Sequence, residues 1–185
     1  MLKCATVVHH ARDEYLKGNK IMEFDRNELT HIKQQISAGN TAPPQLVLHA
    51  AAALMQGREV RRVLASCGHR DDDDGTVWSV LALLHGGLVS VVGMSAQADW
   101  ALGSVGAELD GDLYAHFIPL SEVTACAVTQ ILPPQQDFGS ASPFACQTRW
   151  ALILRDGSVL EIPWRNGVDA HEAFAHEMVD LLSAR

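Results

Sequence analysis

The sequence predicts an α+β fold that is mainly β: a seven-stranded antiparallel barrel or sandwich, closed by a C-terminal helix and preceded by an N-terminal helical extension. Three observations carry that expectation. Between Glu59 and Pro163, about 105 residues, strand-like stretches recur at short intervals with Gly-, Pro- and Asp-rich breaks between them. Residues 1–58 instead carry apolar side chains at helical spacing, as does the final stretch AHEAFAHEMVDLLSAR. The chain, 185 residues long and 48% hydrophobic, is large enough to bury a substantial core.

The elements follow in order. NELTHIKQQISAG reads as a helix, with Asn27 as N-cap, Leu29, Ile32 and Ile36 on one stripe, and Gly39 where a C-cap belongs. NTAPP breaks the pattern. QLVLHAAAALMQG gives a second helix with two apolar stripes, Leu46, Ala50, Ala53 and Leu54 on one, Leu48, Ala51, Ala52 and Met55 on the other. A helix so apolar is expected to be covered on two sides. EVRRVLASC is the first strand, and GHRDDDDG its turn. TVWSVLALLHGGLVSVVGMS supplies two strands joined at Gly86-Gly87. After the connection QADWALGSVGAELDGD come the strands LYAHFI and EVTACAVTQIL, then the loop PPQQDFGSASP. RWALILRDGSVLEIPW is the clearest hairpin, with Asp156-Gly157 at its turn and Leu160, Ile162 and Trp164 alternating with Val159, Glu161 and Pro163. RNGVD ends the sheet. These boundaries divide the chain into an extension, 1–58, and a β domain, 59–185.

TVWSVLALL is unusual because both alternating sets are apolar: Val77, Leu81 and Leu83 on one side, Trp78, Val80, Ala82 and Leu84 on the other. A barrel strand with one wet face would show polar residues on it. Its outer side therefore calls for a cover, either the helix at 45–56 or a second copy of the chain.

Composition narrows the function classes. A net charge of −8 disfavours nucleic-acid binding, which needs clustered Lys and Arg against phosphate. No run of eighteen apolar residues exists, and MLKCATVVHHARDEYLKGNK, with only a short apolar run before His9, His10 and Arg12, is not expected to act as a signal peptide. Cys4, Cys67, Cys126 and Cys146 are widely spaced and read as reduced thiols, so a cytoplasmic protein is expected.

HEAFAHE near the C-terminus resembles a zinc-protease signature only superficially. Its histidines, His171 and His176, are five residues apart, which turns them about 140° from one another, where a spacing of four gives about 40°. Phe174, Met178, Leu181 and Leu182 form the apolar stripe of a closing helix, with Glu172, His176 and Asp180 on the wet face. The acidic run before Gly75 does not match a calcium loop: positions one, three and five fall on Arg70, Asp72 and Asp74, and position twelve is Leu81. Cys67-Gly68-His69 lacks the second close ligand pair of structural zinc, and His9-His10 is equally isolated. Asp137-Phe138-Gly139 stands without other kinase elements, and no nucleophile elbow or phosphate loop is present. No catalytic residue, metal ligand set or cofactor is assigned.

LMQGREVRRVLASC, HFIPLSEVTACAV and LILRDGSVLEIPW with the closing helix resemble, in that order, bacterial pleckstrin-homology-like domains. The resemblance covers about 56–184 and rests on the opening Leu-x-x-Gly-Glu, the Ile-Pro-Leu-x-x-Val before strand five, and the last hairpin. The third strand carries LLHGGLV where many relatives have Thr-x-x-Arg. The resemblance implies a non-enzymatic module for protein interaction or self-assembly. Its partner, a protein, a peptide or a second copy of the chain, would add a strand beside strand five under the terminal helix. Carried onto this chain, that edge is Val123, Ala125, Ala127, Thr129 and Ile131. Phosphoinositide or stable membrane binding is disfavoured, because the loop that meets phosphates in such domains is here GHRDDDDG; Arg58, Arg61 and Arg62 sit at the other end of strand one. The competing expectation is a metal-assisted hydrolase drawing on the nine histidines.

Overall fold

The computed structural model describes residues 24–38, 41–69, 75–96, 100, 111–132, 147–163 and 170–185. Cys4, His9, His10, Gly39, Arg70, the aspartates at 71–74, Asp137-Phe138-Gly139, Cys146 and residues 164–169 lie outside the described residues. The described chain is α+β and mainly β, with two antiparallel sheets and three helices.

Helix α1 (Arg26–Gln35) is capped two residues before the expected position. The Asp25 carboxylate, not Asn27, accepts from the backbone N–H groups of Asn27 and Glu28, at 2.8 and 3.1 Å. A charged acceptor there also favours the positive end of the helix dipole. Helix α2 (Gln45–Met55) follows Pro44, whose fixed φ suits a helix entry.

Sheet 1 has the order β1 (Val60–His69), β2 (Thr76–Leu84), β3 (Gly87–Ser95), β4 (Asp112–Pro119). The β2–β3 turn is His85-Gly86, one residue earlier than expected: Leu84 pairs with Gly87, and Gly86 takes the positive φ of 92°. A short 3₁₀ turn, Leu120–Glu122, leads into sheet 2, whose order is β5 (Val123–Leu132), β6 (Gln147–Leu154), β7 (Val159–Glu161). The last hairpin turns as expected at Asp156-Gly157, where the Asp156 carboxylate accepts from the Ser158 N–H and hydroxyl, at 2.9 and 2.6 Å. Helix α3 (Ala170–Ser183) completes the described chain.

The expected seven strands are present, but they form two separate ladders of four and three rather than a closed barrel. At one side of the gap sits α3, which packs against β1, β5 and β6. Phe174, Ala175 and Met178 enter the core between the sheets, together with Leu64, Leu81, Leu83, Leu88, Val123, Leu152 and Ile162. Helical side chains thus occupy the corner where strands of the two sheets would otherwise meet. Arg62 of β1 pairs with Glu177 of α3 across the same corner.

A second core lies on the opposite face of sheet 1. Val47, Leu48, Ala51, Ala52 and Met55 of α2, with Ile32 and Ile36, pack on Trp78, Val80, Ala82, Leu84, Val89 and Val91. The outer face of TVWSVLALL is therefore covered from within the chain, by the helix at 45–55. The two stripes of α2 have the same explanation: one meets the sheet, and part of the other meets α1. Gly93 allows the close approach, since a Cβ there would lie 2.6 Å from Val47 Cγ2 and 2.7 Å from Trp100 Cη2. The layers run α1/α2, sheet 1, then sheet 2 with α3.

Two outcomes are expected from this packing. A fragment spanning residues 59–185 uncovers the Trp78–Val91 face, so light scattering after size-exclusion chromatography will report association or aggregation in place of a monomer. A monomeric fragment that unfolds cooperatively would show the cover to be dispensable. In the full chain, Phe174→Ala should cost about 3–5 kcal/mol in urea unfolding, because Phe174 is fully buried between the sheets and α3.

Candidate interaction edge at β5

Sheet 2 ends on β5, whose only strand partner among the described residues is β6. The four large exposed apolar side chains of the described residues are Tyr114 on β4, Val128 and Ile131 on β5, and Val159 on β7. All three strands are sheet edges, where unpaired backbone groups can take another strand. Only β5 carries two of them, 43% and 69% exposed.

Two bulges shape this edge. Between Val123 and Ala125, and again between Val128 and Gln130, β5 spends an extra residue relative to β6. Each bulge reverses the alternation, so the five edge residues named from the sequence do not all point to one side of the sheet. Val123 faces inward, 1% exposed, within the core beneath α3. Ala125 and Ala127, opposite Ile153 and Ala151, share the other face and are half-buried. Thr129 is the extra residue of the second bulge, and its hydroxyl donates to Arg149 O at 3.3 Å. Ile131 stands opposite Thr148, on the side where Val128 stands opposite Trp150. Alternation of residue types does not reveal bulges, so Val128 was not legible as its neighbour.

The ground beside Val128 and Ile131 is built by α3. Glu172 accepts from the Thr148 hydroxyl at 3.0 Å, and Thr148 accepts from Trp150 Nε1 at 2.9 Å. The exposed His176 ring meets Trp150 edge-on, with centroids 5.7 Å apart. Deeper under the helix, Cys126 Sγ lies 3.8 Å from Ala175 O. At the start of the strand, the Arg185 guanidinium donates to Val123 O at 3.1 Å and to Leu120 O at 2.5 Å. That clamp occupies the first carbonyl of β5; from Ala125 onward no described strand other than β6 pairs with β5.

The helix geometry also answers the histidine question. His171 is buried and His176 exposed, on different sides of α3. Among the described residues, no group of three or more His, Cys, Asp and Glu side chains is placed to hold a metal ion. Two of the three basic residues of the α2–β1 region are engaged within the chain: Arg58 lies 4.2 Å above the Phe117 ring, and Arg62 pairs with Glu177. No helix of the described residues is long and apolar enough to cross a membrane.

Burial pushes the Cys126 thiol up from an ordinary 9.0 to about 11, while Cys67, exposed near the end of β1, is raised in the same direction by the same cause. The protonated thiol is thus the form that folding favours at Cys126. This contribution is fully present below pH 9 and is lost as pH rises toward about 11. Iodoacetamide labelling resolved by mass spectrometry should modify Cys67 well before Cys126 at pH 8, with the Cys126 rate still climbing above pH 9. Equal early labelling would mean that α3 does not cover β5.

No protein-family model, curated protein or solved structure matches this chain.

Proposed function

We propose that the chain is a non-enzymatic interaction module of the pleckstrin-homology-like type, which takes an extended segment of a partner protein along the β5 edge beside α3. The observation that carries this reading is the pair Val128 and Ile131, exposed on an edge strand whose neighbouring helix supplies Glu172 and His176. Strand addition draws affinity from backbone hydrogen bonds and selectivity from the side chains that flank the edge. Here an apolar residue of the partner would rest on Val128 and Ile131, and a basic one would approach Glu172. The order of elements supports the family reading: a four-stranded sheet, a three-stranded sheet, then a helix inserted at their corner. Phosphoinositide binding remains disfavoured by the composition of GHRDDDDG, together with the engagement of Arg58 and Arg62 elsewhere.

Self-association through the same edge is the competing form of this reading, and one experiment separates the two. Peptides selected from a displayed library against the full chain are titrated while ¹⁵N shifts are followed. The largest shifts should fall on residues 125–132, and the double change Val128→Asp, Ile131→Asp should weaken binding by about tenfold or more. Val159→Asp, an equally exposed apolar position on the far edge, should leave affinity unchanged. Peptide binding that ignores the β5 change sinks the proposal. A dimer in light scattering that the same change dissolves identifies a second copy as the occupant.

A further inference from the structure

The inner face of sheet 1 meets another sheet, so it should be apolar along its length. At one end it is, with Leu64, Leu81, Leu83 and Leu88 packed beneath α3. Toward the other end, three serines occupy the same face: Ser66 stands opposite Ser79, and Ser90 opposite Leu81. Together they line a cavity of about 340 Å³ between the sheets, walled also by Val92, Trp150, Leu160 and Ile162. Ser90 is 7% exposed, and Ser66 and Ser79 are half-buried. A second cavity, of about 530 Å³ between β4 and the β6–β7 hairpin, meets the first at Ser90 and Leu160. Three hydroxyls on one wall can each donate and accept, so this row suits an occupant that hydrogen-bonds.

We propose that the cavity binds a small, neutral, hydroxylated molecule the size of a single sugar or cyclitol ring. Its volume lies at the low end of ligand cavities, about 300–1,000 Å³. A serine hydroxyl both donates and accepts, as does each hydroxyl of a polyol. The Trp150 ring adds an apolar wall for the carbon face of such a ring. An aliphatic tail would leave the three serines unpaired. Arg149 and Glu161 also line the cavity at its rim, one charge of each sign, so the described lining offers an ionised ligand no net counter-charge. The cavity adjoins the β5 edge through Thr129 and Trp150, while its serine wall belongs to sheet 1.

The test uses the full chain, followed by ¹⁵N and methyl shifts during separate titrations with glucose, myo-inositol, glycerol, decanoate and inorganic phosphate. Saturable one-site binding of at least one of the three polyols is expected, with the largest shifts at Ser66, Ser79 and Ser90. Ser79→Val should weaken that binding by about tenfold or more. Ser90→Ala, a smaller change, should weaken it in the same direction with the unfolding midpoint held. Failure of all three polyols to saturate, as a cavity holding water alone would give, overturns the proposal. So does saturation by decanoate or phosphate in their place, or polyol binding indifferent to both serine changes.

Discussion

The architecture depends on burial of β2 from both sides. Trp78, Val80, Ala82 and Leu84 face the N-terminal helices, while Leu81 and Leu83 face the second sheet and α3. A strand with two apolar faces has no orientation that leaves one of them in water at low cost, since each large side chain is worth roughly 1.5–3 kcal/mol when buried. The chain therefore has to supply two covers of different kinds, helical on one side and mixed on the other. This places sheet 1 in the middle of the molecule and makes the helical extension a structural layer of the same fold.

The second cover determines where the protein presents edges. By entering the corner between the sheets, Phe174 and Met178 fill space that strand pairing would otherwise close, and the seven strands remain two ladders. An open sandwich keeps free strand edges, which natural proteins usually shorten, bulge or cover. Here β7 is short, β5 is bulged twice and clamped at its start by Arg185, and β4 leads directly into a 3₁₀ turn. The apolar side chains left on these edges stand out against that background, because each of the usual devices is in place around them.

Much of the fold could be read from residues. Period-two alternation and turn residues located the seven strands, and the two apolar sets of TVWSVLALL indicated a cover on both sides. The stripe of Phe174 and Met178 identified a core helix where a metal motif had first suggested itself. Ladder partition was not readable, since it depends on which corner α3 fills, a tertiary choice. The candidate edge was readable as a strand and not as a surface, because bulges at Val123/Ala125 and Val128/Gln130 come from packing against β6 and leave no mark on residue type. The inward serines were hidden for the related reason that Ser66, Ser79 and Ser90 belong to three strands and align only once their registers are known.

The contact between α2 and sheet 1 is made largely of missing atoms: Ala51 and Ala52 on the helix, Gly93 on the strand. Enlarging a residue in a loosely packed core can be absorbed by a rotamer change, but a side chain at Gly93 meets Val47 and Trp100 at once. Relief would require both the Val47 and the Trp100 side chains to shift, and both are fully buried. Substitutions should therefore be tolerated least at the smallest residues, so that over generations the alanines and this glycine would change more slowly than the larger leucines and valines around them.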